Sequence, residues 1–167
     1  MADALDVYLN EDLAGRLREE KGQLFFAYAR SWLESRRFLP LSVTMPPQAE
    51  EFPDAIARVF FDNLLPEGDV RTAIAKLKRV SERNTFGLLH ELGGDCAGAI
   101  SLWPEGERPA RNKGYESTGD ARLSRLLADI QKRPLITGDG EVRLSLAGAQ
   151  DKLPVHYDGS RLALPRG

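Results

Sequence analysis

Hydrophobic and polar residues alternate along the first 46 residues of the chain, which is the period of a half-buried β-strand. Tight polar turns such as Lys21-Gly22 separate the alternating runs. The runs cover residues 5–9, 13–17, 23–28 and 41–45. Consecutive short strands with tight turns favour an antiparallel sheet that curls or closes. The pattern therefore predicts a small antiparallel β-barrel-like subdomain at the N-terminus.

Helical spacing replaces this alternation in the middle of the chain. A first helix is predicted to begin near Pro53, and a second to cover residues 70–77. A third covers residues 85–92, with Asn84 or Thr85 as its N-cap. The first helix carries one apolar stripe, formed by Ile56, Val59, Phe60 and Leu64. That stripe is expected to face the core.

Three further segments follow the helices. Residues 97–103 return to a strand pattern, and residues 104–118 are polar and read as a loop or linker. A fourth helix runs from about Asp120 to Arg133, where Pro134 stops it. The side chains expected to form the core are Val59, Phe60, Leu64, Leu88, Leu92 and Leu127.

The last part of the chain has a different organisation. Two alternating runs flank the small residues Ala147-Gly148-Ala149, and Asp158-Gly159 predicts a two-residue hairpin turn before a final strand. The predicted division is therefore an α+β subdomain over residues 1–134 and a second part over residues 135–167.

The small-residue loop admits two interpretations. Strand, small-residue loop and strand can bring backbone N–H groups close to a phosphate, with Lys152 as a point charge just past the loop. The loop fits neither of the common phosphate-binding glycine motifs. Judged on these residues alone, an ordinary hairpin with a bend is the favoured interpretation.

Composition narrows the functional classes. The 167 residues (18.5 kDa) are 42% hydrophobic and 29% charged, which is ordinary for a soluble globular protein. A net charge of −2 argues against a dedicated nucleic-acid surface. The single Cys96 and the distant His90 and His156 lack metal-ligand spacing, so no metal site is predicted. Without a signal peptide or an apolar span, a cytoplasmic protein with no membrane contact is expected.

Four phrases occur in a definite order along the chain: RFLPLS at residues 37–42, FFDNLLPEG at 60–68, LGGDCAGAI at 92–100 and SLAGAQDKL at 145–153. Together they resemble the N-terminal part of HipA-type serine/threonine kinases, the toxins of bacterial HipBA toxin–antitoxin modules. The resemblance covers nearly the whole chain. It reverses the interpretation of the small-residue loop.

The resemblance implies a fold and a set of site residues. The fold would be α+β, with a small antiparallel β-barrel-like subdomain and packed helices before the first strands of a kinase-like N-lobe. Ser145 would match the autophosphorylation serine of the family. The ATP-binding loop would be formed by Ala147, Gly148, Ala149, Gln150, Asp151 and Lys152. ATP and Mg²⁺ would be the cofactors of the full-length parent, with neither expected on this chain alone.

The resemblance also implies a function. The parent would phosphorylate a translation component, such as an aminoacyl-tRNA synthetase, and inhibit growth in the manner linked to persistence. A HipB-like helix-turn-helix antitoxin would neutralise it, and DNA would be reached only through that antitoxin. The sequence contains no His-Arg-Asp or Asp-Phe-Gly motif, so whether this chain is itself an enzyme is left open.

Two readings of the whole chain remain. The favoured one is an N-terminal portion of a HipA-type kinase, whose catalytic residues would lie beyond residue 167. The alternative is a non-catalytic interaction module, naturally short, that binds a separate kinase chain. Reading the frame downstream of codon 167 would separate the two.

Overall fold

The structure, a computed structural model, describes residues 3–96, 99–109, 114–132 and 155–166. Backbone contacts divide the chain into two compact units, Met1–Pro109 and Ala110–Gly167. The elements are helices and antiparallel strands, so the α+β class is confirmed. The predicted boundary between residues 134 and 135 lies outside the described residues and stays a prediction.

A four-stranded antiparallel sheet forms the framework of the first unit. Its strands are β1 (Asp3–Leu9), β2 (Asp12–Glu20), β3 (Gln23–Tyr28) and β4 (Ile100–Pro104), in the order β3-β2-β1-β4. Lys21 and Gly22, both at positive φ, make the turn between β2 and β3. The alternating pattern therefore predicted the first three strands and β4 correctly. The pairing places the N-terminal strand in the middle of the sheet.

The fourth predicted strand, at residues 41–45, is wrong. Ser42 and Met45 close a tight turn, in which the Met45 N–H donates to the Ser42 carbonyl over 3.0 Å. The Tyr28 hydroxyl donates to the Met45 carbonyl at 2.8 Å and accepts the Leu41 N–H at 2.9 Å. The backbone of this segment is thus held by a buried side chain rather than by a neighbouring strand.

The helices of the first unit lie between β3 and β4 in the sequence: α1 (Arg30–Leu33), α2 (Asp54–Asp62), α3 (Gly68–Lys78) and α4 (Thr85–Leu92), followed by a 3₁₀ turn (Gly93–Asp95). Asn84 caps α4 as predicted, because its Oδ1 accepts the Gly87 N–H at 2.9 Å. None of the described helices is long and apolar enough to cross a membrane.

The core of the first unit forms where α2 packs on the sheet. Phe61 of α2 is fully buried, and its ring lies 5.4 Å from that of Phe26 on β3. Phe52 stacks on Phe26 at 6.2 Å, and the backbones of these two residues exchange hydrogen bonds of 2.7 and 3.1 Å. An aromatic cluster therefore joins α2 to β3 and to the segment before α2.

The predicted phase of α2 is wrong. Val59 is 63% exposed, whereas Ala57 and Phe61 are fully buried. Phe60 is only half-buried. Two apolar stripes run side by side along this helix, and helical periodicity alone cannot say which one meets the sheet. The Phe26 ring selects the stripe that contains Phe61.

The remaining core predictions have mixed outcomes. Leu88 and Leu92 of α4 are buried as expected, and Cys96 is buried as well. Leu64 is half-buried, and Leu127 is 50% exposed. The leucines that α4 contributes are thus the correctly predicted part of the core.

The second unit contains a three-stranded antiparallel sheet and one helix. The strands are β5 (Gly114–Ser117), β6 (His156–Tyr157) and β7 (Leu162–Arg166), in the order β5-β7-β6, and the helix is α5 (Asp120–Lys132). The fourth predicted helix is therefore confirmed. The reading of residues 104–118 as loop alone is wrong, since β5 lies within them and pairs with β7.

The turn at Asp158-Gly159 is present but longer than predicted. Tyr157 pairs with Leu162, so four residues form the loop, and the Asp158 N–H donates to the Arg161 carbonyl at 3.2 Å. The Asp158 carboxylate accepts the backbone N–H groups of Ser160 and Arg161, both at 2.8 Å, and these bonds lower the pKa of Asp158. The Asp158 carboxylate therefore stabilises a four-residue loop in place of the predicted two-residue turn.

The corrected phase of α2 gives a direct stability test. Phe61→Ala is expected to lower the free energy of unfolding by about 3–5 kcal/mol, because it empties a fully buried aromatic site. Val59→Ala on the same helix is the matched control and should change it by less than about 0.5 kcal/mol. Chemical denaturation of both variants measures the difference; similar losses would contradict the phase described here.

Candidate functional site

The residues predicted to form the ATP site lie outside the described residues. They are Ser145, Ala147, Gly148, Ala149, Gln150, Asp151 and Lys152. The described chain resumes at residue 155, one position before β6. The ATP-binding and autophosphorylation assignments therefore stay predictions. The polar network and the cleft that follow belong to the first unit.

A polar network surrounds α2, and we call Asp54, Arg58, Asp62, Arg71 and Thr85 the α2 network. At its first end, the Arg58 guanidinium binds the Asp54 carboxylate, with Nη2–Oδ1 at 2.8 Å and Nε–Oδ1 at 3.0 Å. Arg58 Nη2 also donates to the Gly22 carbonyl at 2.6 Å, and Asp54 Oδ1 accepts the Leu24 N–H at 2.7 Å. This pair ties α2 to the turn and strand at β3.

Asp62 forms the other end of the α2 network. Its Oδ1 accepts the Thr85 hydroxyl at 2.6 Å and Arg71 Nη2 at 2.8 Å. Arg71 Nε donates in turn to the Glu82 carbonyl at 2.8 Å, and the Thr85 residue is almost completely buried. One carboxylate oxygen on α2 therefore joins α3 through Arg71 and α4 through Thr85.

Both carboxylates of the α2 network are held in their ionised form. Hydrogen bonding from Arg58 lowers the pKa of Asp54. Burial raises the pKa of Asp62, but hydrogen bonds from Arg71 and Thr85 outweigh it, so the net shift is downward. A carboxylate with a lowered pKa is a poor general base at neutral pH. The α2 network therefore orders three helices and a turn rather than transferring protons.

An open cleft of about 270 Å³ lies beside Arg58. Charges of both signs line it, with Glu19 on β2 facing Arg58 and Arg83. Among the described residues, no group of three or more His, Cys, Asp or Glu side chains could hold a metal ion. The residues that line the cleft therefore do not favour a ligand of one charge, and those that the structure describes form no metal site.

The phrase at residues 92–100 has a packing role in the structure. A side chain at Gly93 would place its Cβ 2.7 Å from Leu102 Cβ and 2.8 Å from the Leu102 carbonyl oxygen. Only glycine lets the end of α4 approach β4 this closely. Gly93 therefore fixes the contact between the end of α4 and β4.

The outward side of α2 is a partly exposed surface with apolar side chains. It consists of Ala55, Ile56, Val59, Phe60 and Asn63, which we call the α2 outer face. Ala55, Val59 and Asn63 are exposed, and Ile56 and Phe60 are half-buried. No member is charged, although 29% of the whole chain is. Sequence reasoning found these apolar residues but assigned most of them to the core.

Comparison with known proteins identifies the family to which the chain belongs. The model of the HipA N-terminal domain matches residues 5–103, which is more than half of the chain. The chain belongs to the HipA family. The matched residues include the sheet, the α2 network and the α2 outer face, so these features belong to a HipA N-terminal domain.

Relatives extend the HipA similarity beyond that domain. Y4mE, a predicted kinase of Sinorhizobium fredii, is 38% identical over 167 residues, which are 96% of this chain and 40% of that protein. The serine/threonine-protein kinase toxin HipA of Shewanella oneidensis is 32% identical over 165 residues, covering 98% of this chain and 37% of that protein. The chain thus spans about two fifths of the length of these relatives.

One solved structure and one short relative complete the comparison. HipA of Shewanella oneidensis, in a complex with HipB and operator DNA, matches 96% of this chain and 37% of its own with a TM-score of 0.69 and 29% identity. An uncharacterized protein of Haemophilus influenzae is 27% identical over 99 residues, which are 59% of this chain but 90% of that protein. The match to this chain therefore makes up most of that short protein.

The α2 network predicts a dependence of stability on pH. Asp54 and Asp62 have lower pKa values in the folded than in the unfolded chain, so at low pH the unfolded state binds more protons. Their stabilisation is present at neutral pH and is lost as the pH falls below the ordinary aspartate value of 3.8. Because both are partly exposed, each should contribute at most about 1 kcal/mol.

Asp62→Asn tests this expectation. The variant should be less stable than the native chain at pH 7, and its stability should fall less between pH 6 and about pH 3, the range in which aspartates titrate. Asp69→Asn, which removes an exposed carboxylate outside the α2 network, is the control. Denaturant titrations across this range give the slopes. An unchanged slope in Asp62→Asn would show that Asp62 is not linked to folding.

Proposed function

We propose that this chain is the N-terminal portion of a HipA-type serine/threonine kinase toxin that phosphorylates a translation component and inhibits growth. The observation that carries the proposal is the 32% identity to the HipA kinase toxin across 98% of the chain. That similarity runs beyond the N-terminal domain at residues 5–103 into the part that contains residues 145–152.

The predicted loop would serve the nucleotide. Small residues at Ala147, Gly148 and Ala149 allow the backbone N–H groups to approach the phosphates of ATP, and Lys152 adds a positive charge beside them. Phosphoryl transfer also needs Mg²⁺ ligands and a catalytic aspartate. In this proposal the Mg²⁺ ligands and the catalytic aspartate lie in the part of the complete kinase that this chain does not include.

The proposed partners follow from the same similarity. A HipB-like antitoxin is supported by the matched Shewanella structure, which is a complex of HipA with HipB and operator DNA. The net charge of −2 agrees with DNA contact through the antitoxin rather than through this chain. The proposed substrate is a translation component of the aminoacyl-tRNA synthetase type.

Phosphoryl transfer tests the proposal directly. The complete kinase should transfer labelled phosphate to protein in a magnesium-dependent reaction, whereas the 167-residue chain alone should not, because its sequence contains neither a His-Arg-Asp nor an Asp-Phe-Gly motif. Both proteins are assayed side by side with labelled ATP. Transfer by the short chain, or none by the complete protein, would contradict the proposal.

Ser145 provides a second test. Its phosphate would carry about −1.5 to −2 charges at neutral pH, would repel the ATP phosphates and would compete for Lys152. Phosphorylation would therefore switch nucleotide binding off. In the complete kinase, Ser145→Asp should lose ATP affinity and Ser145→Ala should keep most of it, as measured by ATP titration. Equal affinities in the two variants would remove the charge mechanism.

A second candidate function is a non-catalytic module that binds a separate kinase chain. The short Haemophilus relative favours it, since the segment similar to this chain makes up 90% of that protein. The reading frame distinguishes the two candidates. A kinase catalytic loop in frame after residue 167 supports the first, and a stop codon followed by a separate kinase frame supports the second.

A further inference from the structure

Helix α2 has three distinct sides, and two of them are used inside the first unit. Ala57 and Phe61 are buried in the core. The acidic and basic side chains at Asp54, Arg58 and Asp62 follow at intervals of four residues and belong to the α2 network. The third side is the α2 outer face, which carries no charged residue. Its Phe60 ring packs against the core, 5.1 Å from the Phe61 ring, whereas Ala55, Val59 and Asn63 are exposed. An exposed helix side without charged residues is unusual for a surface helix in water.

We propose that the α2 outer face is the surface on which the kinase portion of the same HipA-type polypeptide docks. The inference rests on the proposed function, because it needs that portion to exist. The relatives supply the reason to expect it: about three fifths of each lies outside the match to this chain. A kinase portion of that size either packs against the N-terminal domain or is joined to it only by the connecting segment.

The small area of the α2 outer face favours an occupant that belongs to the same polypeptide over one that binds from solution. Nine helical residues make a strip about 13 Å long and about 10 Å wide, roughly 130 Å² in outline. A stable complex between free proteins buries about 800 Å² on each partner. A second copy of the chain, docked on this strip alone, would therefore dissociate. A portion of the same chain needs less area, because the connecting segment keeps its effective concentration high.

The chemistry of the face excludes charged occupants. It has no lysine or arginine to bind DNA phosphates and no carboxylate to pair with a basic protein surface. A charged partner docked here would lose its water without gaining a counter-charge. An apolar surface would instead cover Val59 and Phe60, and the Asn63 amide would supply hydrogen bonds at the rim. The occupant is thus an uncharged, largely apolar surface of the kinase portion.

Thiol labelling at position 59 tests this assignment. Val59→Cys should react rapidly with a maleimide in the 167-residue chain, where residue 59 is 63% exposed and Cys96 is only 2% exposed. In the complete protein the reaction should slow about tenfold, which corresponds to a face that is covered about nine tenths of the time. Val43→Cys is the matched control, because Val43 is 98% exposed in the turn between Ser42 and Met45, and its rate should be equal in both proteins.

The rates are measured by mass spectrometry on the tryptic peptides that contain each site, so other cysteines do not interfere. Equal rates for Val59→Cys in the two proteins overturn the proposal. Protection that grows with protein concentration, or that needs added antitoxin, also overturns it in favour of those occupants. Phosphate transfer is assayed on the same samples. A kinase-active protein with an unprotected position 59 loses only the docking inference, whereas a kinase-inactive one loses the proposed function.

Discussion

The hydrogen bonds on one oxygen of Asp62 are the interaction on which the arrangement of the helices depends. Thr85 donates to it at 2.6 Å and Arg71 at 2.8 Å, so α2, α3 and α4 meet at a single atom. Since Thr85 is almost completely buried, losing the carboxylate would leave its hydroxyl without that partner. Within the first unit, this junction connects α2, α3 and α4, and the Phe61–Phe26 contact places α2 on the sheet.

That junction also explains why α2 exposes an uncharged side. The charged residues of the helix lie at intervals of four, which places them on one side, and the network uses that side for Gly22, Arg71 and Thr85. The aromatic cluster uses the adjacent side. What remains for the outside is uncharged, and it is the surface proposed above for docking. Internal order and an uncharged outer face are thus two consequences of one sequence pattern.

The two units contribute differently to the proposed kinase. The first contains the structural network, the cleft beside Arg58 and the α2 outer face, and its residues match the HipA N-terminal domain. The second contains a small antiparallel sheet whose last two strands follow the predicted ATP loop. Nucleotide chemistry is therefore proposed for the second unit, and packing and recognition for the first.

The sequence by itself determined the strands β1 to β4, the helices, a cap of α4 at Asn84 or Thr85, and the family, because these depend on local period, turn chemistry and ordered phrases. It did not determine which stripe of α2 is buried, since Val59 and Phe61 are equally apolar and only the Phe26 ring distinguishes them. It missed the α2 network for the same reason: the intervals of four were visible, but Gly22 and Thr85 are distant in sequence. Tertiary contacts decided which stripe of α2 is buried and which partners its charged residues bind. Local sequence pattern cannot decide this, because burial depends on the neighbouring side chains that a residue contacts in the fold.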